Sequence, residues 1–231
     1  RRWAPHLQAW MPRWIAGDDQ LGAQLMSAVD GVPMEALEPQ ERQVVWRQAG
    51  QFRRALDQVP WVDRDPVPLS EAIPMRIAAC RRQAAAVLGA QWRPGDASSS
   101  AWEREAARLF EGTTRLPCHR DYCPRNWLIV RSPEGGAVQL VVFDWGQARA
   151  DAPVVDELKL WDEVWGDEPE VEQAWEEGYG RARTTLERRQ REVLAALHAL
   201  MTTVWAVEHG DRALERQGRR AMDRVRQADW M

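Results

Sequence analysis

Lysine is nearly missing from this chain: Lys159 stands alone beside 30 arginines, so arginine carries almost all the positive charge. That bias suits a GC-rich coding sequence. Cysteine is scarce too. Cys80, Cys118 and Cys123 form an odd set, too sparse for a secreted disulfide scaffold, so free thiols and a reducing, cytoplasmic compartment are expected. No stretch approaches the roughly 18 consecutive apolar residues of a membrane helix, and Arg1-Arg2-Trp3-Ala4-Pro5 has no signal-peptide core. Neither a membrane nor a secretory role is expected. The chain does not open on methionine and reads as a trimmed piece of a longer product. A large excess of either charge is also lacking. The net charge is -4, and acidic residues interleave with the arginines of Arg181 to Arg191 and Arg212 to Arg226, which argues for surface helices over a nucleic-acid module.

What is present is a globular composition: 231 residues, 45% hydrophobic and 29% charged, with 14 tryptophans. That length suits one large domain or two lobes. Two apolar runs, His6 to Trp10 and Leu21 to Val29, flank Gly17-Asp18-Asp19 and predict a hairpin. Val45, Ala49, Phe52 and Leu56 recur at helical spacing between Glu38 and Val59. A second helix follows from Ser70 to Gly89, with Pro74 in its first turns, and Arg93 to Ser100 reads as an exposed loop whose serines can cap a helix reaching Phe110. The period then changes. Trp127 to Val130 and Val138 to Phe143 are β-branched runs joined by Ser132-Pro133-Glu134-Gly135-Gly136, a second hairpin. Beyond Pro153 the pattern is helical, and Leu186, Val193, Leu197, Leu200, Val204 and Glu208 trace one face of the longest helix.

The chemistry concentrates in His119-Arg120-Asp121-Tyr122-Cys123-Pro124-Arg125-Asn126, then a hairpin, then Asp144-Trp145-Gly146. This is H-x-D-x4-N, strand, turn, strand, D-x-G. Phosphoryl transfer needs a carboxylate near the acceptor hydroxyl and oxygen ligands for magnesium at the nucleotide phosphates. Asp121, Asn126 and Asp144 supply those atoms, and the hairpin can return Asp144 beside Asn126. Cys118, His119 and Cys123 do not make a structural zinc site, which wants four ligands and paired short spacings. His119 suits bracing of the loop better than proton transfer, and Cys80 suits burial in a helix.

These residues resemble the aminoglycoside phosphotransferase and choline kinase-like group, relatives of the protein kinases. Leu25 to Gly31 is similar to the group's interlobe hinge, Asp151-Ala152-Pro153-Val154-Val155-Asp156-Glu157-Leu158 to its D-P-x-x-D-L segment, and Gly178-Tyr179-Gly180 to a later feature, all in family order. The resemblance implies a protein kinase-like α+β fold. Residues 1–37 would be the end of the N-lobe and the hinge, and 38–231 a mainly helical C-lobe carrying the catalytic loop 119–126 and the D-x-G at 144–146. It further implies ATP and Mg2+ as cofactors, with Asp121 as base or hydroxyl-positioning group and Asn126 and Asp144 as metal ligands. Backbone groups of Ser27 and Val29 would hold adenine, and Asp156 would anchor the catalytic loop from beneath. Asp151 follows Asp144 by only seven positions, too few for a protein-kinase activation segment, so a small hydroxylated acceptor is expected.

Three departures stand out. Arg120 sits where the group usually has glycine, and Cys123 where histidine or lysine is common. The nucleotide-covering strands, phosphate loop and ATP-binding lysine that should precede the hinge are missing, and Lys159 lies too late to be that lysine. The lobe would lie upstream, come from a partner, or be lost, and this fragment alone would then be inactive. Between Leu160 and Gly180 stand Asp162, Glu163, Asp167, Glu168, Glu170, Glu172, Glu176 and Glu177 with no basic residue. That stretch would attract a polycationic acceptor, although a solvated helix face accounts for most of it. Trp161, Trp165 and Trp175 could stack on a sugar but fit a core better. The leading expectation is an ATP-dependent phosphotransferase for an aminoglycoside-type antibiotic. The alternatives are a choline, sugar or amino-alcohol kinase, and a non-catalytic pseudokinase-like module.

Overall fold

The computed structural model describes residues 3–18, 20–89, 100–132 and 137–227. The chain divides into two compact units, one formed by Arg1–Val62 with Leu116–Arg183, the other by Asp63–Arg115 with Thr184–Met231.

The first unit holds the strands. Strand β1 (Trp14–Asp18) pairs antiparallel with β2 (Ala23–Met26), with Trp14 opposite Met26. The turn is closed by the Asp18 carboxylate, which accepts the N–H groups of Gln20 (2.8 Å) and Leu21 (3.0 Å), and by Gly22 at a φ of +62°. The expected hairpin is there, but its first strand lies later than His6 to Trp10. Pro5 and Pro12 bracket that run, and it turns tightly, Trp10 N–H donating to Leu7 O at 2.8 Å, so that Leu7 is fully buried. Helix α1 (Pro39–Asp57) starts with proline at its first position and a reciprocal cap between Glu38 and Glu41. The spacing read from the sequence holds: Val45, Ala49, Phe52 and Leu56 are all buried.

Strand β3 (Leu116–Cys118) pairs with β6 (Arg149–Asp151), and β4 (Trp127–Arg131) with β5 (Val138–Val142), from Trp127 opposite Val142 to Arg131 opposite Val138. Residues 133–136 of that second turn lie outside the described residues. A bridge between Val32 and Ile129 ties the segment after β2 to β4. Beyond β6 come a one-turn helix α4 (Leu158–Leu160), a π-helical turn at Trp161–Trp165 and helix α5 (Pro169–Tyr179). Tryptophans from all these pieces fill one core. Trp46 meets Trp127 edge-on at 5.0 Å, Phe52 stacks on Tyr122 at 5.1 Å, and Trp165 packs against Trp175 at 5.3 Å. Trp165 and Trp175 are thus core residues, and Trp161 is partly buried against that core. Helices α1 and α5 cross with backbones in near contact. A Cβ on Gly50 would fall 2.0 Å from Trp175 O, and one on Gly178 would fall 1.8 Å from Arg47 O.

The second unit is helical: α2 (Leu69–Leu88), α3 (Ser100–Leu109), α6 (Thr185–His209) and α7 (Arg212–Gln227). Most of the predicted loop Arg93 to Ser100 lies outside the described residues; Ser100 itself opens α3. Thr184 and Glu187 cap α6 reciprocally. Along its predicted face Val193, Leu197, Leu200 and Val204 are buried, whereas Leu186 and Glu208 at the two ends are exposed. Gln190 is held inside by Leu109 O (2.7 Å) and Thr113 Oγ1 (2.9 Å), so this buried amide is satisfied. Among the described residues no helix is long and apolar enough to cross a membrane.

Candidate active site

The loop after β3 is held from below by one carboxylate. Asp156 is buried and accepts the N–H of His119 at 3.0 Å and of Arg120 at 2.6 Å, while Arg53 of α1 donates to it at 2.9 Å. Arg53 also reaches Pro117 O at 3.0 Å and pairs with Asp57. Burial works against the guanidinium's charge, yet Asp57 and Asp156 outweigh it and hold its proton more tightly than in water. Asp156 is thus the expected anchor, and Arg53 is the buried cation that makes its own burial tolerable.

His119 braces the loop from within. Its Nε2 lies 2.9 Å from Phe143 O and its Nδ1 accepts the N–H of Asp121 at 3.3 Å, which assigns the proton to Nε2. Burial pushes the imidazole below its ordinary value against the pull of Asp156, so it is neutral at physiological pH.

Arg120 takes a left-handed conformation with φ of +67°, which explains why glycine is the easier residue at this position. Its side chain compensates: Nε pairs at 3.1 Å with the fully buried Asp151.

Asp121 is about one-fifth exposed, and its Oδ1 gathers three neighbours: Lys159, Arg125 at 3.2 Å and the Cys123 thiol at 3.6 Å. All three of these contacts are to Oδ1 and none is to Oδ2. Partial burial disfavours the charged carboxylate, but Lys159 and Arg125 outweigh it and hold Asp121 below the usual carboxylate range. Asn126 is buried, with Nδ2 donating to Asp121 O at 2.8 Å. The amide is therefore oriented, with its carbonyl oxygen as the remaining ligand atom. One step along the hairpin, Phe143 N–H donates to Asn126 O at 3.0 Å, so Asp144 emerges next to Asn126. Asp144 is exposed and left-handed, with φ of +60° and ψ of +63°. The structure thus brings Asp121, Asn126 and the backbone leading to Asp144 together.

Ser27 and Val29 lie on the segment after β2. The Ser27 N–H donates to Arg13 O at 2.8 Å, while the Arg13 N–H goes to Ser27 Oγ at 2.9 Å. The serine hydroxyl thus takes the strand bond that would have consumed the Ser27 carbonyl.

Sequence reasoning did not place Lys159, Arg125 or Glu163 in the site. Glu163 receives Arg125 at 3.0 and 3.2 Å, on the π-helical turn. A usable signal existed for Lys159, which sits three residues after Asp156 and so shares its face on a tight helical turn. No group of three or more His, Cys, Asp or Glu able to hold a metal ion occurs among the described residues. The three cysteines are free and buried. A cavity of about 490 Å³ lies beside the D-x-G turn, lined by Trp3, Trp14, Met26, Trp61, Trp145 and Gly146, but Asp121, Asn126 and Asp144 are not among its walls.

The phosphotransferase enzyme family model matches residues 1–193. Among solved structures, a GDP complex of an aminoglycoside 2'-phosphotransferase-IIIa variant aligns with a TM-score of 0.69 at 12% identity, over 99% of this chain and 80% of that one. A choline/ethanolamine kinase family protein from Mesorhizobium loti aligns at 0.64 and 16% identity, over 97% and 75%. Aminoglycoside phosphotransferase APH(2'')-Ib, ADP-bound, aligns at 0.62 and 15% identity, over 92% and 74%. A search of curated proteins finds no significant match. The expected protein kinase-like α+β fold is therefore the observed one. Because the matched span contains both the H-x-D loop and the D-x-G turn, the chain belongs to the phosphotransferase enzyme family and is a kinase-like enzyme for hydroxyl groups of small molecules.

Proposed function

We propose that the protein transfers the γ-phosphoryl group of ATP to a hydroxyl of an aminoglycoside-type antibiotic. The observation that carries this reading is the hydrogen-bonded turn in which Asn126 is locked to Asp121 while the β4–β5 hairpin delivers Asp144 beside it. Two of the structural neighbours are aminoglycoside phosphotransferases, one a GDP and one an ADP complex, which supports a nucleotide donor and this acceptor class. The choline/ethanolamine kinase neighbour favours an amino alcohol as the second reading.

In the proposed mechanism Asp121 receives the acceptor hydroxyl on Oδ2, orients it and takes its proton as the oxygen bonds to phosphorus. Asn126 and Asp144 would hold magnesium. Both offer hard oxygen donors, and magnesium is usually bound by one or two carboxylates together with phosphate oxygens, so a two-residue set fits better than a closed protein cage. When bound, the metal neutralises charge on the phosphates. Adenine presents a donor and an acceptor on one edge. The Ser27 carbonyl, spared by its own hydroxyl, and the Val29 N–H are the backbone groups assigned to that edge.

The test is transfer of labelled phosphoryl from ATP to a panel of aminoglycosides and amino alcohols by the full-length protein. Asp121→Ala is expected to abolish transfer and largely spare magnesium-ATP binding, whereas Asp144→Ala is expected to lose that binding. Wild-type turnover by contamination-free Asp121→Ala protein would refute the assignment of the base. Failure of every acceptor despite tight nucleotide binding would point to a binding module.

A further inference from the structure

A base and two metal ligands do not account for the charge around Asp121. Among the described residues Lys159 pairs with Asp121 alone, and it is the only lysine in a chain that uses arginine 30 times. The two groups are not equivalent. An ammonium is a compact point charge with three rotatable donors, while a guanidinium needs a planar, two-pronged partner. Lys159 and Asp156 leave the same tight turn three residues apart and address the same loop. Asp156 takes the N–H groups of His119 and Arg120, and Lys159 takes the carboxylate of Asp121.

The charges alternate along one line: Lys159 positive, Asp121 negative, Arg125 positive, Glu163 negative. Arg125 is thus shared between two carboxylates, and Lys159 has only its share of Asp121. Cys123, between them, is a buried neutral thiol. Lys159 is about one-fifth exposed and so is open to solvent. It stands at Oδ1 of Asp121, on the same oxygen as Arg125 and Cys123.

We infer that Lys159 is a positioning residue for the transfer: it holds Asp121 by Oδ1 so that Oδ2 meets the acceptor hydroxyl, and it places a fixed positive charge beside the travelling phosphoryl group. The inference rests on the phosphotransferase reading above. In the step, the hydroxyl oxygen bonds to the γ-phosphorus. The bond from that phosphorus to the bridging oxygen breaks, and its electron pair leaves with the nucleoside diphosphate. The hydroxyl proton goes to Asp121.

The test uses hydrolysis of magnesium-ATP and magnesium-GTP by the full-length protein, water serving as the acceptor. Lys159→Met is expected to lower kcat by about tenfold to a hundredfold and to leave KM for the nucleotide within about twofold. Lys159→Arg, which keeps the charge but not the compact ammonium, is expected to recover part of that loss. Thermal unfolding of each variant checks that the fold persists. Lys159→Met turning over like an active wild type would overturn this inference alone, as would a rise in KM with kcat unchanged. A Lys159→Met protein that fails to fold leaves the decision to Lys159→Arg, whose kcat falling as far as that of Asp121→Ala would overturn the charge argument. A folded wild type that hydrolyses neither nucleotide would overturn the phosphotransferase reading and the inference together.

Discussion

Replacing Asp156 by alanine should loosen the catalytic loop and destabilise its unit by about 3 kcal/mol. The carboxylate accepts from Arg53 Nη1 at 2.9 Å, from His119 N at 3.0 Å and from Arg120 N at 2.6 Å, with its side chain fully buried. Hydrogen bonds to a charged group contribute about 1.5–3 kcal/mol each, but burying the carboxylate has a cost that offsets much of their sum. Breaking a buried ion pair from one side typically costs about 3–5 kcal/mol. The lower end applies because Arg53 would keep Asp57 and Pro117 O. The assay is urea unfolding of wild type, Asp156→Ala, Arg53→Met and the double variant. The double-mutant cycle is expected to give a coupling above about 1 kcal/mol. A loss below about 1 kcal/mol for Asp156→Ala, or no coupling, would refute the claim that this pair anchors the loop.

Three other outcomes follow from the packing and the thiols. Gly50→Ala or Gly178→Ala must push α1 and α5 apart, because each Cβ would meet backbone at 2.0 Å or less; a loss of about 3 kcal/mol is expected in urea unfolding, and a neutral effect at both would contradict the described crossing. Arg120→Ala should be less stable than Arg120→Gly by about 1 kcal/mol, since both lose the pair with Asp151 while only alanine keeps the left-handed penalty; equal stabilities would remove that conformation. Burial pushes the thiols of Cys80 and Cys123 up to about 12 and that of Cys118 well above its ordinary value. At pH 8 a thiol with that value is ionised to only about one part in 10⁴, so native protein should resist a thiol-reactive disulfide that labels all three once urea is added; rapid native labelling would contradict it.

Much of the fold was legible because its signals are local. The faces of α1 and α6 follow a helical period, and the second hairpin follows a change of period around Trp127 and Val138. The pairing of β3 with β6 was not legible, since three-residue strands carry no period and Leu116 meets Asp151 only through the fold. The first strand was misplaced for a related reason: two prolines made the apolar run at His6 to Trp10 a turn, while β1 carries its residues exposed and shows no apolar stripe. In the candidate site, the closeness of Asp121, Asn126 and the backbone leading to Asp144 could be read from spacing, because one loop and one hairpin place all three. Lys159 was missed because its partner lies 38 positions away, and the one local signal is its spacing from Asp156, which seats the loop. In the acidic stretch Glu163 and Glu177 pair with Arg125 and Arg47, partners the sequence did not suggest, while Glu168 and Glu170 are exposed.

The central claim is that Asp144 and Asn126 form a metal-dependent nucleotide site next to Asp121. The most direct measurement is a calorimetric titration of magnesium-ATP, and in parallel magnesium-GTP, into the full-length protein, with Asp144→Ala as control. The account predicts saturable binding to the wild type that disappears in Asp144→Ala and on chelation of magnesium. A folded wild type that takes up neither nucleotide, or an Asp144→Ala variant that binds as tightly as wild type, would contradict it.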